Sequence, residues 1–222
     1  MGTETERAGR IDAMATGYDD FSDMLGRRGR RLDPAVWDDL VDRLAGHDVT
    51  HLGGGSGAAS RPADADLAHL IPDLARAPEP RLRDALIALL LRHPEDAAAV
   101  RAAMADLPRG DPAWMSLLAR LLAAAALQRE HAMYWARALP GHAPIDVADL
   151  VAALDLPSPE EEDGRALLAA AQELVRGRHR TLDYVDGWED VARHALREAV
   201  GVAGFERLLA KVPAKAAVGA GT

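Results

Sequence analysis

The sequence predicts an all-α protein, either an antiparallel multi-helix bundle or a short HEAT-like helical stack. Three observations predict it. Residues 82–135 are the most apolar part of the chain, with Leu86-Ile-Ala-Leu-Leu-Leu91 and a run from Leu117 to Leu127. Apolar residues recur at helical spacing along most of the sequence. Short turns rich in Pro and Gly separate those periodic segments, as between antiparallel helices.

The chain has 222 residues, of which 49% are hydrophobic, enough for a sizeable core. Only 4% are aromatic, so that core is aliphatic and Ala-rich, which suits close-packed helices. The net charge of −9 argues against broad binding to nucleic acid or anionic membranes, because phosphates are repelled over most of the surface. Cysteine is absent, which excludes disulfides, thiolate metal sites and a Cys nucleophile. No apolar run reaches the roughly 20 residues that span a bilayer. The start, Met1-Gly-Thr-Glu-Thr-Glu6, is polar and acidic, unlike a signal peptide. A cytoplasmic protein is the expectation.

Residues 1–60 read as an N-terminal arm with one helix and a Gly-rich loop, 61–212 as the helical core domain, and 213–222 as a flexible tail. Arg27-Arg-Gly-Arg-Arg31 is a basic patch in the arm, open to a solvated or a nucleic-acid-binding reading. Asp33-Pro34 starts a helix: Asp accepts from orphan N–H groups and Pro fits the first turn. Val36, Trp37, Leu40, Val41 and Leu44 follow helical spacing, and Gly46 stops it. The β-branched pair Val49-Thr50 suggests a short strand near Val49.

Residues 66–75 carry Leu67, Leu70, Ile71 and Leu74 on one face, with Pro72 expected to kink or split the helix. Helices follow over 81–92 and from Pro94 to about Met104. Asp111-Pro112 caps the longest expected helix, running to about Ala138. Its stripe includes Trp114, Leu121, Gln128 and Trp135. A short helix is expected over 146–154. Ser158-Pro-Glu-Glu161 reads as a capping box for the next helix, which reaches about Arg176. Trp188 opens the last long helix.

Several residues are candidates for chemistry. Gly55-Ser56 followed by Asp64-Ala-Asp66 looks like the opening of the nucleotidyltransferase superfamily, where paired carboxylates hold Mg²⁺ beside the triphosphate. The spacing is short, however, and the residues after Asp66 read as helix, so a loop ending in an acidic cap is the competing account. Histidines are scattered without metal-ligand spacing. No catalytic residue, metal ligand or cofactor is assigned. Arg176, Arg178 and Arg180 form a compact basic loop able to collect a phosphate or to pair with Asp183, Asp186 or Glu189. Gln128 lies on an apolar stripe and needs a partner, in a neighbouring helix or in a groove shared with Trp135. Tyr184 and Trp188 sit among acidic residues, as anchors for a protein partner or as a staple of the last helix to the core.

Residues 82–94, Leu-Arg-Asp-Ala-Leu-Ile-Ala-Leu-Leu-Leu-Arg-His-Pro, resemble a group of small helical bacterial proteins encoded beside nucleotidyltransferase-like proteins. The resemblance continues through 123–135 and resumes over 176–189, at the basic loop, Asp183-Tyr184 and Trp188-Glu189. It implies a non-catalytic, antitoxin-like protein that regulates or neutralises a nucleotidyltransferase-like partner. It supplies no catalytic residues to carry over.

Overall fold

A computed structural model describes residues 32–50, 52, 64–176, 187–201 and 204–205. Among these there are nine α-helices and no strand. They are α1 Pro34–Gly46, α2 Asp64–Arg76, α3 Pro80–Arg92, α4 Ala97–Ala105, α5 Pro112–Glu130, α6 Ala132–Ala138, α7 Ala148–Leu154, α8 Arg165–Arg176 and α9 Trp188–Val200. Two 3-10 turns, Pro94–Asp96 and Glu161–Gly164, precede α4 and α8.

The helix starts follow local chemistry. Asp33 Oδ1 accepts from Ala35 N at 2.9 Å, and Asp111 Oδ1 from Ala113 N at 2.7 Å. Each satisfies one donor that the helix itself leaves unpaired. Pro72 lies within α2 without splitting it. Leu70, Ile71 and Leu74 are fully buried around it, and that packing offsets the hydrogen bond Pro cannot donate.

The strand expected near Val49 is a turn. His47 N and Val49 N both donate to the Leu44 carbonyl, at 2.9 and 3.0 Å, and Asp48 adopts φ 63°. Val49 is tucked fully inside, so its β-branched side chain serves the core. The long helix expected to reach Ala138 breaks at His131, whose φ of −104° and ψ of 22° leave the helical region. Ser158 does not form the expected box with Glu161. Its hydroxyl bonds to the Glu160 carboxylate, and the chain passes through the 3-10 turn before α8 begins.

Helices α3 and α5 form the central pair. In α5, every residue from Ala113 to Gln128 is buried except Ser116; in α3, Leu82 and the run Asp84 to Leu91 are buried. Helix α8 packs along α5, α9 along α3, and α2 against both. Helix α9 therefore closes on the third of the described helices. A stack of repeats would join each helix pair only to its neighbours, so the arrangement is a bundle around two buried helices. Leu40, Val41 and Leu44 of α1 join the same core. The expected arm up to residue 31, the Gly-rich loop at 53–57 and the tail at 213–222 lie outside the described residues.

Candidate functional site

Burying α3 and α5 on all sides forces their polar residues to find partners inside. Asp84 and Arg120 do so with each other: Arg120 Nη2 donates to Asp84 Oδ1 at 2.7 Å, and both side chains are nearly inaccessible. Trp188 Nε1 donates to the same oxygen at 3.1 Å. The Arg120 guanidinium lies 5.7 Å from the Trp188 ring centroid, within cation–π range. Its other end reaches the Ser116 hydroxyl and carbonyl, one turn back, at 3.1 and 3.3 Å. This cluster ties α3, α5 and α9 together.

Burial lowers the Arg120 pKa, opposed by the charge of Asp84 and its hydrogen bond. Arg83 is pushed down to about 10, first by burial and then by the charge of Arg120. Arg83 Nη1 donates to the Ala77 carbonyl at 2.6 Å and the Pro78 carbonyl at 3.0 Å, so it braces the turn between α2 and α3.

A concave surface lies elsewhere. A cleft of about 620 Å³ opens between the end of α3, the start of α4 and the loop after α6, with Arg92, Glu95, Arg101 and His142 on its walls. Gln128 lies behind one wall and fastens the loop that forms it. Its amide donates to the Ala143 carbonyl at 2.8 Å and accepts from Ile145 N at 2.7 Å. One buried side chain thus replaces the backbone partners that a loop lacks. Arg101 reaches Asp149 with both terminal nitrogens at 2.8 Å, and also bonds the Asp146 carbonyl. The ring of His142 stacks on Trp135, with centroids 5.6 Å apart and planes 16° apart.

Three of the four residues expected at a partner surface are interior ones: Gln128, Trp135 and Trp188 are 7%, 2% and 1% exposed. Gln128 and Trp135 share the neighbourhood of the loop, whereas Trp188 belongs to the Asp84 cluster. Each has a partner inside: Gln128 holds the loop after α6, Trp135 of α6 stacks on His142, and Trp188 of α9 bonds to Asp84 of α3. The fourth, Tyr184, lies outside the described residues, as do Arg178 and Arg180; Arg176 is exposed at the end of α8. Asp64 and Asp66 occupy the first turn of α2, a helix where the superfamily likeness calls for a strand. Among the described residues, no group of three or more His, Asp or Glu side chains is arranged to hold a metal ion. No described helix is long and apolar enough to cross a membrane.

Asp84, Arg120 and His142 are the residues that sequence reasoning missed. The charges inside Leu-Arg-Asp-Ala-Leu and Leu-Ala-Arg-Leu-Leu are the available signal, because a charge on the buried face of an apolar helix needs a buried counter-charge. Nothing in Pro140-Gly-His-Ala-Pro144 announces the stack on Trp135. Compared with models of known protein families, with curated proteins and with solved structures, the chain matches none.

Proposed function

We propose that this chain is a non-catalytic helical interaction protein that binds and restrains a nucleotidyltransferase-like partner, in an antitoxin-like role. The observation that carries the reading is charge. The chain holds a net −9, and Asp38, Asp39 and Asp42 are all exposed along α1. A protein that handles nucleoside triphosphates must present cationic groups to them, and an acidic helical surface complements such groups. The resemblance over 82–94 supports the same reading.

The test is affinity capture from native lysate, with retained proteins and nucleic acids identified together. A nucleotidyltransferase-like protein should be retained, and rising salt should weaken its retention. Nucleic acid recovered without protein would instead favour a role for the basic segments at 27–31 and 176–180. A parallel measurement addresses Asp64 and Asp66 as Mg²⁺ ligands. Mg²⁺ with ATP should leave Tm unchanged; at about 100 times Kd, a true ligand adds about 2.7 kcal/mol. A rise abolished by Asp64→Ala would replace the interaction reading with an enzymatic one.

A further inference from the structure

Helix α1 is short of cations on its solvent side. Asp38, Asp39 and Asp42 are exposed there. Asp39 lies 3.6 Å from Arg43, which also reaches Asp73 at 3.2 Å. Asp38 and Asp42 share one face and pair with no cation among the described residues. Like charges at that spacing oppose the helix, and a cation between them relieves it.

Beside this face a hollow of about 570 Å³ opens between the start of α1 and the α2–α3 turn. Its walls include Leu32, Pro34, Trp37, Asp38, Glu79 and Arg81. Glu79 Oε1 accepts from Leu32 N at 3.0 Å, and Oε2 has no hydrogen-bond partner. Trp37 is half-buried. An indole beside carboxylates is a seat for a guanidinium, because the ring offers a cation–π face and the acids supply charge. Arg81 brings one cation to the same walls, against Asp38 and Glu79, with Asp39 and Asp42 further along α1.

A matching segment precedes the hollow in the chain. Arg27-Arg-Gly-Arg-Arg31 is cationic throughout, contains no acid and ends at the residue before Leu32. Five residues span at most about 18 Å, and Leu32 and Asp38 line the same hollow. Every arginine of the segment therefore starts within reach of these acids.

We propose that Arg27–Arg31 of the same chain is the occupant of this hollow and of the acidic face of α1, a tethered cover that a cationic partner must displace. The displacement rests on the function proposed above; the cover does not. Single exposed ion pairs are weak and screened by salt. A short tether compensates with an effective concentration in the mM range, so a contact with a Kd of about that size is roughly half closed. Such a cover competes with a partner and still yields to it.

Acrylamide quenching of tryptophan fluorescence in the full chain tests this with no partner present. Trp114, Trp135 and Trp188 are 7%, 2% and 1% exposed, so the quenchable emission is that of half-buried Trp37. Changing Arg27, Arg28, Arg30 and Arg31 together to Gln should raise the bimolecular quenching constant, by up to about twofold for a cover half closed. Asp38→Asn with Glu79→Gln, which keeps an acceptor for Leu32 N, should raise it equally. The two sets combined should add little more, because both break one contact. High salt should erase these differences. Arg109→Gln, a loss of charge at the α4–α5 turn, should change nothing. An unchanged arginine variant overturns the cover, and so does a rise that the Asp38 and Glu79 changes do not reproduce. A wild-type constant that varies with protein concentration would assign the contact to a second copy and overturn it as well. Lysate capture reads the partner separately, so either reading can fail alone.

Discussion

Arg120 donates to Asp84 at 2.7 Å across the interface of the two central helices, and neither side chain reaches solvent to any extent. Removing one partner leaves the other charge buried and uncompensated. Arg120→Met should therefore cost about 3–5 kcal/mol. The double change Arg120→Met with Asp84→Leu should recover much of that loss, because it removes both desolvated charges. Urea unfolding of the two variants measures it. A single variant as stable as the wild type would refute the internal role given to the pair.

Gly164 provides a second, independent test of the packing. Its φ is 89°, and a Cβ there would stand 2.4 Å from the Ala126 carbonyl oxygen of α5. Gly164→Ala combines an unfavourable backbone region with a clash against backbone, and should cost about 2 kcal/mol or more. Gly141→Ala is the control, since its φ is 85° but its surroundings are open. That change should cost only about 1–2 kcal/mol. The difference between the two midpoints isolates the contact of the 3-10 turn with α5.

Helix content was legible in the sequence because it follows from periodicity and capping. Asp33 and Asp111 cap where their Asp-Pro pairs said they would. The failures share a cause, which is that tertiary packing overrides local preference. Val49 is β-branched yet closes a turn, because its burial under α1 decides its conformation. Pro72 stays helical because Leu70 and Ile71 before it and Leu74 after it are fully buried. The site was less legible than the fold. Gln128 could be seen to need a partner, but the loop carbonyl and amide that satisfy it lie fifteen and seventeen residues on, in a segment with no period of its own.

Gln128 should accordingly govern the order of that loop. Gln128→Leu keeps the volume on the α5 face but leaves the buried Ile145 N–H and the Ala143 carbonyl without the amide. The expected cost is about 1–3 kcal/mol for each group left unsatisfied, reduced to the extent that the loop opens to water. Exchange of the Ile145 amide should rise before global unfolding. An unchanged Ile145 exchange rate would show that the loop is held by something other than this amide.

The ion pair at the far end of the loop predicts an acid response. Arg101 grips both oxygens of Asp149, and that hydrogen bonding holds the carboxyl below its usual value, with burial opposing weakly. A carboxylate depressed in the folded state contributes stability above its unfolded pKa of about 3.9 and loses it as pH falls through the lower folded value. The pair is solvent-exposed, so its effect on global stability should be small and weakened by salt. NMR titration of Asp149 should give a midpoint below the ordinary carboxylate range, moving up in Arg101→Met. A midpoint indifferent to that substitution would mean that the fork does not persist in solution.

Trp188 distinguishes a core residue from a partner anchor. It is 1% exposed, and its indole N–H reaches Asp84. Trp188→Ala should cost about 3–5 kcal/mol, as expected for an emptied aromatic site. Trp188→Phe retains most of the apolar area and loses the hydrogen bond to a charged acceptor, for about 1.5–3 kcal/mol. Binding of a partner, measured where each variant is still folded, should then be nearly unchanged, because the indole contributes no accessible surface. A variant that melts normally but loses a partner would place Trp188 at an interface, and would require α9 to move away from α3 when the partner binds.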